Sequence, residues 1–220
     1  MSTRWGLVGD IHAEDERLAA ALAVFDGEGV ERVLFVGDVV DGVGDVDRCC
    51  ALLAAAGALG VRGNHDRWLL ADDMRQLPRA HTRAELAPQS LAFLEALPAV
   101  RELAMPFGLV LLCHGIGEHD MRRLNPDDDG YALEVNDALT ELVEARRHAL
   151  VIGGHTHLRM VRRFGDLVFV NPGTLARDAT PCCAVLDLDA GNVQFYELDD
   201  PAAPARSEQL AFTTRPAPAA

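Results

Sequence analysis

The chain has 220 residues, 49% hydrophobic and 25% charged, which suits one domain with a full core and excludes a disordered composition. A formal net charge of −14 works against tight binding to a nucleic-acid backbone, which needs a basic footprint. The five cysteines are odd in number, include two vicinal pairs and show no Cys-x-x-Cys spacing, so free thiols are expected rather than a disulfide framework or a zinc knuckle.

Residues 5–9 form a short apolar run that ends at Asp10, and the polar Asp10-Ile11-His12 follows at once. Residues 14–25 then repeat Leu18, Ala21, Leu22 and Phe25 at helical spacing, with acidic residues in the first turn and Gly27 and Gly29 as stops. The next apolar run, 33–36, ends in Gly37-Asp38-Val39-Val40-Asp41-Gly42. A second helix fits 46–56, and a third short strand, 58–61, leads into Arg62-Gly63-Asn64-His65-Asp66. Alternating strands and helices with short connections predict a parallel α/β sheet.

From 67 to 98 the pattern reads as mostly helical, broken at Pro78, with Pro88 opening a helix whose apolar face is Leu91, Leu94 and Leu97. Asp66 reads as an N-cap for a helix at 67–70. A half-exposed strand over 100–105 precedes a buried one over 109–113, which ends at His114-Gly115. The polar stretch 116–130 reads as a solvated loop, because its acid run lacks the alternating ligands and terminal Glu of a calcium loop. A helix over 133–147 leads to a buried strand, 149–152, which ends in Gly153-Gly154-His155-Thr156-His157.

Four strands then follow without helices, at 160–164, 167–170, 182–188 and 193–198, in two hairpins that predict a second, largely antiparallel sheet. Residues 201–220 are rich in Ala and Pro and read as a tail beyond a domain of residues 1–200, with at most a short strand at 209–212. No secretory leader pattern precedes the first strand, and no apolar run reaches the roughly 18 residues of a membrane span. A cytoplasmic protein without a membrane partner is expected.

Five times an apolar strand ends and a metal-capable side chain follows: Asp10, Asp38, Asn64, His114 and His155. Five of the eight histidines (His12, His65, His114, His155 and His157) lie in these loops. Open α/β sheets build sites beyond the carboxyl ends of their strands, so the loops converge if the strands share a sheet. Carboxylates and imidazoles without a placed thiolate suit Mn, Fe, Zn or Co better than Mg or Ca. Singly, His12 also reads as a helix cap, Asp41 as a turn residue and His114 as a core histidine; together the series points to a pair of divalent cations acting on a phosphoryl group.

Asp10-x-His12, Gly37-Asp38-x-x-Asp41, Gly63-Asn64-His65-Asp66, His114 and Gly154-His155-x-His157 resemble, in order, the motif series of the calcineurin-like metallophosphoesterases. With Asn171-Pro172-Gly173-Thr174, the chain most resembles the compact bacterial phosphodiesterase branch, although Thr174 stands where that branch has Ser. The resemblance implies an α/β fold of two stacked mixed sheets flanked by helices, a four-layer sandwich. It implies two divalent ions per chain, Mn²⁺ first, with Fe, Zn, Co or Ni as alternatives. Asp10, His12 and His157 would hold one ion, Asn64, His114 and His155 the other, and Asp38 would bridge them. His65 would protonate the leaving oxygen, oriented by Asp41. Arg62 is a candidate phosphate contact beside Asn64, since a guanidinium fits phosphate oxygens, and Asn171 a candidate lining residue.

The function expected is hydrolysis of a small phosphodiester, with a phosphomonoester second. A protein Ser/Thr phosphatase fits less well, because that branch follows the second motif with Arg-Gly and here Asp41 precedes Gly42-Val43. A nuclease is disfavoured by charge and by the lack of a basic, aromatic-interleaved stripe. A non-catalytic scaffold that binds protein partners would be expected to have lost a ligand or the motif histidine, and here both are present.

Overall fold

The computed structural model describes residues 3–212. Two mixed sheets stack on each other with helices on both outer faces. Strands β1 (Arg4–Val8), β2 (Arg32–Phe35) and β3 (Leu59–Gly60) run parallel, connected through helices α1 (Asp15–Gly27) and α2 (Val46–Ala55). The capped start of α2 is visible in detail: the Asp45 carboxylate accepts from Arg48 N at 3.0 Å. Helix α3 (Asn64–Ala71) follows β3 directly, and α4 (Pro88–Glu95) begins with proline in its first turn.

The second sheet is built on β4 (Val100–Met105), β5 (Gly108–Cys113) and β6 (His148–Ile152), with helices α5 (Gly130–Glu134) and α6 (Asp137–Ala145) between β5 and β6. Hairpin β7 (Met160–Phe164) and β8 (Leu167–Asn171) joins this sheet, in the order β4-β5-β6-β8-β7. Strands β9 (Cys182–Asp187), β10 (Asn192–Glu197) and β11 (Ala205–Ala211) return to the first sheet, in the order β11-β10-β9-β1-β2-β3. β1 therefore lies between a parallel neighbour, β2, and an antiparallel one, β9.

Strand alternation sorts the core into three layers. Leu7, Leu34, Val36, Val110, Leu112, Ile152 and Val170 point between the sheets, with Trp5 and Phe195. Their neighbours Val8, Phe35 and Cys183 face α1, α2 and α4. Leu111, Cys113, Val151 and Phe169 face the α5–α6 side. All five cysteines are buried and unbonded. Among the described residues no helix is long and apolar enough to cross a membrane.

Several expectations are corrected. The closing strands do not form a sheet of their own, because β9 pairs with β1 and β8 with β6. The helix expected over 133–147 is split, since Asn136 caps α6 by accepting from Leu139 N at 3.2 Å. The stretch 72–82 is turns rather than helix, with Asp72, Met74 and Arg79 at positive φ. Asp66 occupies the third position of α3, not its N-cap. The expected tail contributes β11, antiparallel to β10 and longer than the strand anticipated at 209–212, while 213–220 lie outside the described residues.

Candidate active site

The five strand-end loops converge, but from two sheets. Asp10, His12, Asp38, Asp41 and Asn64 follow β1, β2 and β3, whereas His114, His155 and His157 follow β5 and β6 of the other sheet. The site thus sits at one end of the seam between the sheets. The chain leaves its strands abruptly there: His12, Asp38, Asp41, His155 and His157 all have positive φ. Such backbone is uncommon outside glycine, costs on the order of 1–3 kcal/mol per residue, and gathers at functional sites. Two glycines make room for the approach. A Cβ on Gly63 would lie 2.1 Å from Asp38 Oδ1, and one on Gly154 would lie 2.9 Å from Asp10 Oδ2.

Asp10, Asp38, Asn64 and His114 are almost wholly buried, and His12 and Asp41 are buried. Their donor atoms crowd one another. Asp10, His12 and His157 bring ligand atoms within 4.8 Å of one another, and so do Asp38, His114 and His155. Asp38 also forms such a group with His12 and His65, so its carboxylate is shared. His12 Nε2 faces His157 Nε2 at 3.1 Å, and His114 Nε2 lies 2.9 Å from Asn64 Oδ1 and 3.2 Å from Asp38 Oδ2.

Backbone groups fix the rings in this arrangement. His12 Nδ1 meets the Asp41 carbonyl at 2.9 Å and His114 Nδ1 the Val36 carbonyl at 2.6 Å, so each ring aims Nε2 inward. That outer hydrogen bond is the usual way a protein orients a metal-binding imidazole. Asp38 Oδ1 accepts from His65 N at 2.8 Å in the first turn of α3, which leaves Oδ2 toward the histidines. Asp10 accepts from His155 N at 3.0 and 3.1 Å.

Charge is balanced inside the cluster. Burial opposes the Asp38 anion, but the His114 charge and hydrogen bond, with His12 and His65, hold the carboxyl well below its usual range. Burial would likewise lower His114, and the Asp38 and Asp10 carboxylates raise it instead. Burial and the His114 charge push His155 down to about 4, and burial lowers His157 too, which favours the neutral imidazole at both. Oxygen and neutral imidazole donors converging on shared, buried carboxylates fit divalent cations.

His65 differs from the others. Its Nδ1 donates to Asp41 Oδ2 at 2.8 Å, and Asp41 is in turn held by Arg75 at 2.9 and 3.1 Å and by the His81 N–H at 2.9 Å. Asp66, fully buried, accepts from Gly63, Val39 and Val40 N–H groups at 2.9, 2.8 and 3.2 Å and ties the β2 and β3 loops together. Asn171 clips the histidine loop: its Nδ2 donates to the Gly154 carbonyl and Thr156 Oγ1, both at 3.0 Å. Thr174 Oγ1 donates to the Asp10 carbonyl at 2.7 Å, a bond the Ser of related motifs would also make.

Arg62 sits on the β3–α3 connection with its N–H bound to the Pro98 carbonyl at 2.8 Å; neither it nor Asn171, the expected lining residue, is on the wall of either cleft at the site. Arg123 is there instead, its Nε 3.4 Å from His155 Nε2. Sequence reading did not pick out Arg75, Trp68 or Arg123, since turn and loop residues carry no periodicity; only the proximity of Trp68 to the motif was a signal.

Residues 4–191 match the family described as the calcineurin-like phosphoesterase superfamily domain. An uncharacterized protein of Methanocaldococcus jannaschii is 23% identical over 181 residues, covering 78% of this chain and 70% of that protein. A metallophosphoesterase from Sphaerobacter thermophilus superposes with a TM-score of 0.68 at 22% identity, over 90% of this chain and 88% of that one. Vps29 from Entamoeba histolytica, complexed with zinc, superposes with a TM-score of 0.61 at 17% identity, over 96% of this chain and 100% of that one. At such identities these structures are similar in fold.

Proposed function

We propose that this chain, which belongs to the calcineurin-like phosphoesterase superfamily, hydrolyses a small phosphodiester at the seam between its sheets. Asp10, His12 and His157 would hold one divalent ion, Asn64, His114 and His155 a second, and Asp38 would serve both. The mixed carboxylate and imidazole set suits Mn²⁺ first, with Fe, Zn, Co or Ni as substitutes. When bound, such ions act as Lewis acids on the phosphoryl group and activate the attacking water.

The chain's own residues supply the rest. The observation that carries the reading is the His65–Asp41 pair at 2.8 Å, set against the donor cluster with the His65 and His12 ring centroids 5.0 Å apart. With Nδ1–H committed to Asp41, the His65 proton at Nε2 is the one that goes to the leaving oxygen. Arg75 binds both Asp41 oxygens and, after His65 itself, helps hold that carboxyl below its usual range. Arg123, at the lip of the second cleft, supplies a guanidinium for a non-bridging phosphoryl oxygen. The clefts on either side, about 370 Å³ each, have room for the two arms of a small diester.

The test is turnover of the Mn²⁺-loaded protein on a bis-aryl phosphate and the matching mono-aryl phosphate. Faster hydrolysis of the diester is expected. Hydrolysis of neither, with metal bound, overturns the reading, and preference for the monoester overturns the choice of diester.

A further inference from the structure

Two clefts meet at the site, and His65 and His157 line both. The first is flanked by Glu14, Arg79, Arg177 and Asp178, all charged. The second is polar as well, with Arg123, Asn125 and His155, but it alone of the two carries large apolar side chains on its wall, Trp68 and Met121. A phosphodiester centred on the shared histidines would send one arm into each.

The wall stands beside the group that would meet the leaving oxygen. Trp68 follows His65 by three residues on α3, so the two side chains share a helix face, and their ring centroids lie 5.0 Å apart in an edge-on arrangement. Met121 reaches the same cleft from the β5–α5 loop and is 45% exposed, unusual for a large apolar side chain. Arg67 clamps Asp120 at 2.6 and 3.2 Å, joining the residue before Trp68 to the residue before Met121. The Arg67 guanidinium also lies 5.9 Å from the Trp68 ring centroid. The loop is further closed by Ile116 and His119, which exchange backbone hydrogen bonds at 3.1 Å, and by Asn136, whose side chain holds the Arg123 carbonyl at 3.0 Å. The wall is therefore formed before any ligand arrives.

We infer that Trp68 and Met121 select the leaving arm of the substrate, taking a flat or broad apolar alcohol, while the cleft beside Glu14 and Arg177 takes the other arm. This inference rests on the phosphodiesterase reading above. The physical reason is adjacency: the oxygen protonated by His65 carries its substituent past the Trp68 ring, whose face offers a large rigid surface, and the Met121 thioether adapts to its outline. Selection of this kind depends on contact area and is independent of the charge common to all diesters.

Binding of two non-hydrolysable anions tests it in the Mn²⁺-loaded protein. Diphenylphosphinate and dimethylphosphinate carry the same charge on the same PO₂ centre and differ only in their arms. Calorimetry should show the diphenyl anion binding about tenfold or more tighter. Trp68→Ala should bring the ratio near one, Met121→Ala should lower it in part, and Trp68→Phe should keep most of it. The Trp68 fluorescence should change with the diphenyl anion; Trp5, the other tryptophan, is buried in the core. Equal affinities in the parent protein, no binding of the diphenyl anion, or an unchanged ratio in both Trp68→Ala and Met121→Ala would overturn the inference. The expected ratio without ester turnover would refute the hydrolase reading and leave the wall standing; turnover without the ratio would do the reverse.

Discussion

In the proposed mechanism, His65 is where the charge of the site becomes a rate. Burial favours its neutral form, but the Asp41 hydrogen bond and the Asp38 and Asp41 charges outweigh that and raise its pKa above the ordinary imidazole value. A general acid works in its protonated form, so activity should fall as pH rises through that raised pKa. Asp41→Asn removes one of the charges that hold the proton, so the basic limb of the pH–rate profile should move to lower pH; an unmoved limb would take Asp41 out of this role. His65→Asn should lose about 10²–10⁴ in turnover while metal content, measured by elemental analysis, stays at the parent level. Burial would raise the Asp41 pKa, but the hydrogen bonds from His65 and then from Arg75 and the His81 N–H hold it below the usual carboxylate range, so it stays an acceptor.

At the scale of elements, the site depends on loops that hold each other. Asn171, the last residue of β8, grips the turn that carries His155 and His157 through Gly154 and Thr156. Asn171→Ala should leave the fold intact, because β8 keeps its backbone pairing with β6 and β7, yet weaken metal binding by about 10–100-fold; titration calorimetry with Mn²⁺ measures this, and unchanged affinity would make Asn171 a packing residue only. The elements that carry the site were legible in the sequence. Apolar runs that stop, in four of five cases at Gly, before a carboxylate, amide or histidine mark strands whose ends are used, and Asp10, Asp38, Asn64, His114 and His155 all lie at such ends. What stayed hidden is which strand pairs with which. Alternation in β1 or β5 records which face each side chain takes, but Leu7 and Leu112 face the same interlayer from different sheets with nothing local to say so. Arg75 and Arg123 were hidden for a related reason: a turn brings them to the site, and no repeat marks a turn residue's destination. β11 was legible only in part, as a short strand at 209–212, because its pattern is polar and mostly exposed, held by backbone pairing rather than by a buried face.

The whole molecule presents two stacked sheets whose donors meet only at one end. Asp10, His12, Asp38 and Asn64 come from one sheet and His114, His155 and His157 from the other. A bound cation would therefore join the sheets, and metal affinity and global stability should be linked. At free metal about a thousandfold above Kd, binding adds about 4 kcal/mol to the folded state, roughly 8–16 °C in Tm for a chain of this size. Thermal unfolding with and without a chelator checks this; an unchanged Tm after metal is removed would show that the seam holds equally well without it. The position of β1 has a further consequence, which concerns biogenesis. Its antiparallel neighbour β9 spans Cys182–Asp187, and residues 4–7 pair there with 184–187, so β1 waits for a partner that is synthesised much later in the chain. At ordinary translation rates that interval is on the order of ten seconds or more. During it the nascent chain carries an open strand edge of the kind that invites wrong partners, and only part of its donor set until His157 emerges. Catalytic competence is thus a late event on the ribosome, and a truncation before Cys182 should be a client for chaperones rather than a smaller enzyme.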